Sequence, residues 1–278
     1  VSATSPSEHE SPQQQPAFDS GSVIFLGTGT SVGVPALGCA CDVCRSPDPK
    51  NNRTRSSILF QLPAGNLLVD TPPDLRQQLL REKIDLVHAV LFTHEHADHI
   101  FGLDDLRLFP FRLGTPVPLY CEPKVEHRIR TAYDYAFTDR KPTHPGATPQ
   151  LQIEPIDQRP FEVLGVKVTP IPMTHGPHFD VLGFRVGDFA YCTDTNGIPE
   201  SSMDLLQGLD TFVVGALRVK PHPTHFNLAE AVAVAQRLQP KRTLLTHISH
   251  DLDHRPTSDQ LPAGIDLAFD GLRVPLRW

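Results

Sequence analysis

The stretch THEHADH, Thr93 to His99, packs three imidazoles and two carboxylates into seven residues directly after the apolar run HAVLF. Groups this polar at the end of a buried strand need a compensating partner, and the partner that all of them can share is a metal ion. On a turn leaving the strand, His94 and His96 stand two apart and point alike. Asp98 and His99 follow where the chain turns into a helix, and so address a neighbouring position. The H-x-H-x-D-H spacing therefore divides its ligands between two cations.

The same device recurs three times. IPMTH presents His175, FAYCTD presents Asp194 and LLTH presents His247, each at the end of an apolar strand-like run. The reading assigns His94, His96 and His175 to one divalent ion and Asp98, His99 and His247 to a second. Asp194 bridges them and helps hold the ions roughly 3.5–4 Å apart. Coordination lowers the pKa of water, so a shared hydroxide is available near neutral pH without a serine or cysteine nucleophile. Zinc or manganese suits these ligands best, and iron or nickel is also compatible.

A separate thiolate cluster lies in GCACDVC, as Cys39, Cys41 and Cys44. Three thiolates leave a tetrahedral site one ligand short, and HISH offers His250, three residues beyond His247, to close a structural zinc site. Cys121 and Cys192 end apolar runs and read as buried small hydrophobes. Five cysteines with one such cluster fit a cytoplasmic protein better than a disulfide framework. In HPTHFNLAEAV, His225 precedes a helix for which Asn227 is a cap; from there it can protonate a departing alkoxide or bind a phosphate oxygen, with His222 as a second candidate. The turn GTGTSVG follows a strand, but no GKS or GKT sequence and no dinucleotide-binding helix come after it. Gly27, Gly29 and Gly33 are expected instead to serve tight turns and close backbone approach.

Those residues need rigid elements behind them. SVIFLG, SSILFQL, NLLVD, IDLVHAVLFT, LQIEPI, FEVLGVKVTPIPMTH, FDVLGFRVG, FAYCTD, TFVVGAL, RTLLTHI and DLAFDG read as strands, and PVPLYC as an edge strand. PDLRQQLLREK, VEHRIRTAYDYAF and NLAEAVAVAQRLQ read as helices, and IFGLDDLRLF as the start of another. This order suits an α/β protein of two mixed sheets covered by helices, a four-layer αββα sandwich over residues 21–278, after a polar disordered tail at 1–20. No apolar run reaches the ~20 residues of a membrane span. The net charge of −7 argues against a stable nucleic-acid partner or an anionic membrane.

At THEHADH together with His175, Asp194 and His247, the sequence resembles the metallo-β-lactamase superfamily. The resemblance implies a metallo-β-lactamase-like αββα sandwich with a dinuclear site along one edge. Asp98 and His247 resemble the arrangement of its phosphodiesterases rather than the antibiotic-hydrolysing branch, whose second site commonly uses cysteine. The early cysteines and the HISH segment are similar to the phosphonate-pathway cyclic phosphodiesterase branch, a relative of the tRNA 3'-processing nucleases. There the cysteines and the second histidine of such a segment surround structural zinc, and a histidine placed like His225 donates a proton.

The resemblance implies hydrolysis of a small anionic phosphodiester, such as 5-phosphoribosyl 1,2-cyclic phosphate or a 2',3'-cyclic nucleotide, through attack by metal-bridging hydroxide, and a possible homodimer. Asp98 and His225 are then the catalytic candidates beside the metals, while Arg107, Tyr133, Tyr135 and Phe179 are candidates for recognition. Three rival readings are a tRNA 3'-processing endonuclease, a thioester or lactone hydrolase, and a noncatalytic metal-dependent binding module. The first lacks its long basic arm here, since KPTHPGATPQ is short and weakly charged.

Overall fold

The computed structural model describes residues 20–138, 143–144 and 146–278. The tail expected over 1–20 lies outside them except for Ser20, as do positions 141, 142 and 145 of the Pro/Gly-rich segment. The apolar runs form two seven-stranded sheets. The first is laid down by β1 (Ser20–Gly27), β2 (Ser57–Leu62), β3 (Gly65–Val69), β4 (Ala89–Leu91), β5 (Val117–Cys121) and β6 (Leu151–Pro155). The second follows as β7 (Phe161–Val163), β8 (Val166–His175), β9 (Phe179–Val186), β10 (Phe189–Cys192), β11 (Thr211–Gly215), β12 (Arg242–Thr246) and β13 (Ile265–Leu267). Finally β14 (Arg273–Arg277) returns to the first sheet beside β1.

The two sheets share one plan. In the order β14-β1-β2-β3-β4-β5-β6 the pairing is antiparallel as far as β3 and parallel beyond it. In β7-β8-β9-β10-β11-β12-β13 it is antiparallel as far as β10 and parallel beyond that. Alternation along each strand then divides the apolar residues among three cores. Val23, Phe25, Ile58 and Phe60 of the first sheet meet Val168, Phe184, Phe189 and Val213 of the second, with the Phe60 and Phe189 rings edge-on at 5.5 Å.

The outer faces are covered by helices: α1 (Leu75–Arg81), α2 (Ala97–Ile100), α3 (Phe109–Leu113), α4 (Pro123–Ala132), α5 (Glu200–Met203), α6 (Leu228–Leu238) and α7 (His254–Ser258). Leu75, Leu79, Ile100, Val125 and Ile129 pack on Ile24, Leu26 and Val90 of the first sheet. Met203, Ala231, Ala235 and Leu238 pack on Phe212, Val214 and Leu245 of the second. The expected αββα sandwich results, and strands covered on both faces explain why the runs read as continuously apolar.

Four local expectations differ. PVPLYC is an interior strand, not an edge, lying between β4 and β6. Pro118 is tolerated there because pairing with β4 begins only at Leu119. Within IDLVHAVLFT only Ala89–Leu91 is strand, since Asn66 takes the preceding polar groups through its side chain to the Leu86 carbonyl and its own carbonyl to the His88 N–H. IFGLDDLRLF is broken into the end of α2, a 3-10 turn over Leu103–Leu108 and the start of α3, with Gly102 N–H held by the Thr71 carbonyl at 2.8 Å. The closing strand β14 was not anticipated; its Pro275 sits on a sheet edge, where a missing N–H is harmless.

The Asn227 cap is present as expected. Its Oδ1 accepts from Glu230 N at 3.0 Å while Glu230 Oε2 accepts from Asn227 N at 2.8 Å, a reciprocal capping box that begins α6 and fixes the loop carrying His225. Replacing Asn227→Ala is expected to cost about 1 kcal/mol of stability, read as a lower urea midpoint at unchanged slope.

Candidate active site

Strand ends of both sheets converge on one edge. His94 follows β4, His175 closes β8, Asp194 follows β10 and His247 follows β12. Leu182 of β9 donates its N–H to the Thr93 carbonyl at 3.0 Å, tying the second sheet to the first at this point. Asp194 and His247 turn away from their strands with φ of +53° and +54°, a left-handed conformation that aspartate and histidine adopt more readily than most residues. Such backbone is retained only where surrounding contacts enforce it.

The side chains expected to act together are brought together. His94, His96 and His175 form one group of possible ligand atoms, and Asp98, His99, Asp194 and His247 form a second. Asp194 also groups with His175 and His225, so its carboxylate stands between the two sets. Two ligand atoms each about 2.0–2.2 Å from one ion lie roughly 3.0–3.5 Å apart. His94 Nε2 is 3.0 Å from His96 Nδ1, and His99 Nε2 is 3.3 Å from Asp194 Oδ2 and 3.4 Å from Asp98 Oδ2. His99 Nε2 is moreover buried without a hydrogen-bond partner. The residues fit bound cations.

Three of the rings are anchored through Nδ1. His94 Nδ1 meets Thr93 Oγ1 at 2.9 Å, His175 Nδ1 meets the Thr224 carbonyl at 2.9 Å, and His99 Nδ1 meets Asp70 Oδ2 at 2.7 Å. His247 Nδ1 lies 3.0 Å from Asp194 Oδ1 and 3.3 Å from Ser56 Oγ. Asp70, just after β3, was missed in the sequence. It is fully buried, has φ +64°, and also accepts from Thr93 N and Thr93 Oγ1, each at 2.8 Å. The signal that could have found it is an aspartate ending the apolar run NLLVD, the same device that marked Asp194.

Electrostatics follow from these contacts. Burial, helped by the charge of His99, pushes His94 well below the usual imidazole range, and burial also lowers His175, leaving neutral rings suited to ligation. Burial opposes a proton on His99, but Asp194, Asp98 and Asp70 outweigh it and hold His99 well above the usual range. Burial likewise opposes charge on Asp194, yet His247 and His99 hold its carboxyl well below normal. His225 is pushed down to about 3 by burial and then by the charge of His247, and is therefore neutral at neutral pH. Its ring lies 4.8 Å from those of both His175 and His247, with Nδ1 buried and unpartnered; His222 lies behind it, ring centres 5.2 Å apart.

Of the four recognition candidates, only Phe179 reaches the site: its ring is 42% exposed and stands 4.8 Å from that of His96. Tyr133 is buried, with its hydroxyl on the Ile100 carbonyl. Arg107 and Tyr135 are both engaged by Asp104.

The cysteine cluster is also assembled. Cys39, Cys41, Cys44 and His250 offer ligand atoms to one point, with His250 Nδ1 3.6 Å from Cys39 Sγ and 3.3 Å from Cys41 Sγ. A tetrahedral zinc requires about 3.5 Å between sulfur and nitrogen ligands. The Cys44 N–H and then His250 lower Cys41 to about 6, whereas burial pushes Cys44 up to about 11. Protein groups thus favour one thiolate, and further positive charge is needed to hold three. Cys121 and Cys192 are buried as expected, and burial raises both thiols. The glycine-rich turn serves close approach: a Cβ on Gly29 would lie 2.6 Å from the Arg53 carbonyl, and Gly33 has φ +67°.

Residues 65–248 match the family described as Beta-lactamase superfamily domain. The chain belongs to that family, and its clustered histidine, aspartate and cysteine side chains offer candidate metal-binding sets. Among solved structures, a diphosphatase of the PhnP family is 43% identical, with TM-score 0.86 over 92% of this chain and 97% of that one. Zinc-bound PqqB of Methylobacterium extorquens shares the fold at 21% identity, with TM-score 0.75 over 92% of this chain and all (100%) of that one. An octanoyltransferase of Porphyromonas gingivalis is 38% identical over 255 residues, which are 90% of this chain and 51% of that protein. The chain therefore spans about half the length of this relative.

Two outcomes follow. A cation entering the second set must displace the proton that the three carboxylates keep on His99, so uptake at neutral pH releases a proton and tightens as pH rises; calorimetry in buffers of different ionisation enthalpy measures the release. Asp70→Asn removes the anion that orients His99 and is expected to weaken that set about 10–100-fold, read by chelator competition.

Proposed function

We propose that the chain is a dinuclear metal-dependent phosphodiesterase acting on a small anionic substrate, with a strained cyclic phosphate as the leading substrate class. The observation that carries this reading is the pair of adjacent ligand sets with the Asp194 carboxylate between them and His225 alongside. His94, His96 and His175 would hold one divalent ion, and Asp98, His99 and His247 the other, with Asp194 shared. Bound there, zinc or manganese would supply Lewis acidity toward phosphoryl oxygens and lower the pKa of water. Cys39, Cys41, Cys44 and His250 would hold a structural zinc.

The chain's own residues do the rest. Asp98, whose side chain retains 12% exposure, orients the attacking water with its free oxygen. Water adds its oxygen to phosphorus, the opposite ester bond breaks, and the departing alkoxide takes a proton delivered through His225. Burial keeps His225 neutral in the free protein, and a phosphoryl anion beside it would raise its affinity for the proton it passes on. Phe179 stands at the rim beside His96, where its partly exposed ring can meet an apolar part of the substrate.

A second reading, hydrolysis of a diphosphate, is favoured by the 43% identity to a diphosphatase. It uses the same residues, because attack at phosphorus with expulsion of an oxygen anion is common to both. Wild-type protein loaded with manganese or zinc is expected to convert a cyclic phosphodiester into a monoester, seen by phosphorus NMR, while His94→Ala does not. Turnover confined to diphosphates selects the second reading. Turnover of thioesters or lactones alone overturns both.

His225→Ala is expected to lower kcat by about 10²–10⁴-fold on alkyl esters, with little loss on p-nitrophenyl esters, whose leaving group needs no proton. A fall in metal content instead would make His225 a ligand.

A further inference from the structure

Arg53 is the largest of the fully buried side chains, with 1% exposure, and among the described residues it has no carboxylate within ion-pair distance. A buried guanidinium is costly unless every donor is used. Here Nη1 donates to the Ser249 carbonyl at 2.8 Å, Nη2 to the Leu252 carbonyl at 2.8 Å and to Asn51 Oδ1 at 2.9 Å, and Nε to the Lys50 carbonyl at 3.3 Å. Ser249 and Leu252 bracket His250 of the thiolate cluster, and Ser249 lies two residues beyond His247 of the reaction centre.

The same short segment is also held by its backbone, with Ile248 N on the Thr28 carbonyl and Ser249 N on the Leu217 carbonyl, each near 2.8–2.9 Å. At its other end Arg53 exchanges backbone hydrogen bonds of 2.8 Å with Val34, on the loop that leads to the cysteines. Asn51 extends the clamp, donating to Asp253 Oδ1 at 2.9 Å and accepting from His254 N at 2.9 Å. The buried fork thus grips the loop whose two histidines belong to different clusters.

We infer that Arg53 is a positioning residue that couples the two clusters. By fixing Ser249 and Leu252 it sets His247 against Asp194 and His250 against the thiolates together, so a cation in the thiolate site prepays part of the ordering that His247 needs. This rests on the metal reading proposed above, and linkage makes it reciprocal.

Cobalt titration of the full chain, with zinc already in the thiolate site, tests it. The two binding steps at the reaction centre are assigned by their loss in His175→Ala and in His247→Ala. Arg53→Lys keeps the charge but loses the planar fork. It is expected to weaken the Asp98/His99/Asp194/His247 step about tenfold, to shift the His94/His96/His175 step by less than about threefold, and to leave far-ultraviolet dichroism unchanged.

Equal shifts in both steps, or in neither, overturn the inference. If Arg53→Lys does not fold, Cys41→Ser decides from the other side: it must weaken the same step selectively, and an even effect overturns the coupling. Wild-type protein that takes up no cobalt at either step refutes the metal reading itself, and the coupling with it.

Discussion

A carboxylate stays ionised inside a protein only where positive charge or hydrogen-bond donors stand beside it, and Asp194 is held in its ionised form at a position that is almost wholly buried. Its compensation comes from His247 and His99, which reach it from different sheets. Both sheets must therefore end at the same place, and the left-handed backbone at Asp70, Asp194 and His247 is tolerated because it aims those side chains at that point. The same burial that penalises unpaired charge makes the cluster a strong trap for cations, which relieve the penalty that the protein alone meets with a proton on His99.

Much of this was legible in the sequence, for a physical reason. Strands buried on both faces leave an unbroken apolar run, and a polar ligand at the end of such a run is conspicuous. His94, His175, Asp194 and His247 announced themselves in this way, and the thiolate triad demanded a fourth ligand by valence alone. The residues that support them were harder to see. Asp70 makes its contacts with Thr93 and His99, 23 and 29 positions away, and nothing in NLLVD marks the partner. Arg53 looks like any surface arginine until its guanidinium is found beneath Ser249 and Leu252.

The errors in element boundaries share a cause. Pairing in a parallel sheet is decided by distant chain, so the lengths of β4 and β5 depend on where β3 and β6 run rather than on local propensity. Likewise the helix expected after the histidine cluster is interrupted because Gly102 is pressed against the chain at Thr71, a contact that no periodicity records. Recognition residues were the least legible of all. Tyr133 and Phe179 are both aromatic, yet one is sealed in a core and the other overhangs a metal-ligand candidate.

The return of β14 to pair with β1 joins Arg277 to Ser20 across the first sheet. The outer hydrogen-bonding groups of β1 have no mate until β14, which follows every strand of the second sheet, comes back to cover them. For that interval the nascent sheet carries a raw edge able to recruit strands from other chains. A sheet closed by so distant a pairing is open to misassembly for longer than one whose edges meet their mates locally.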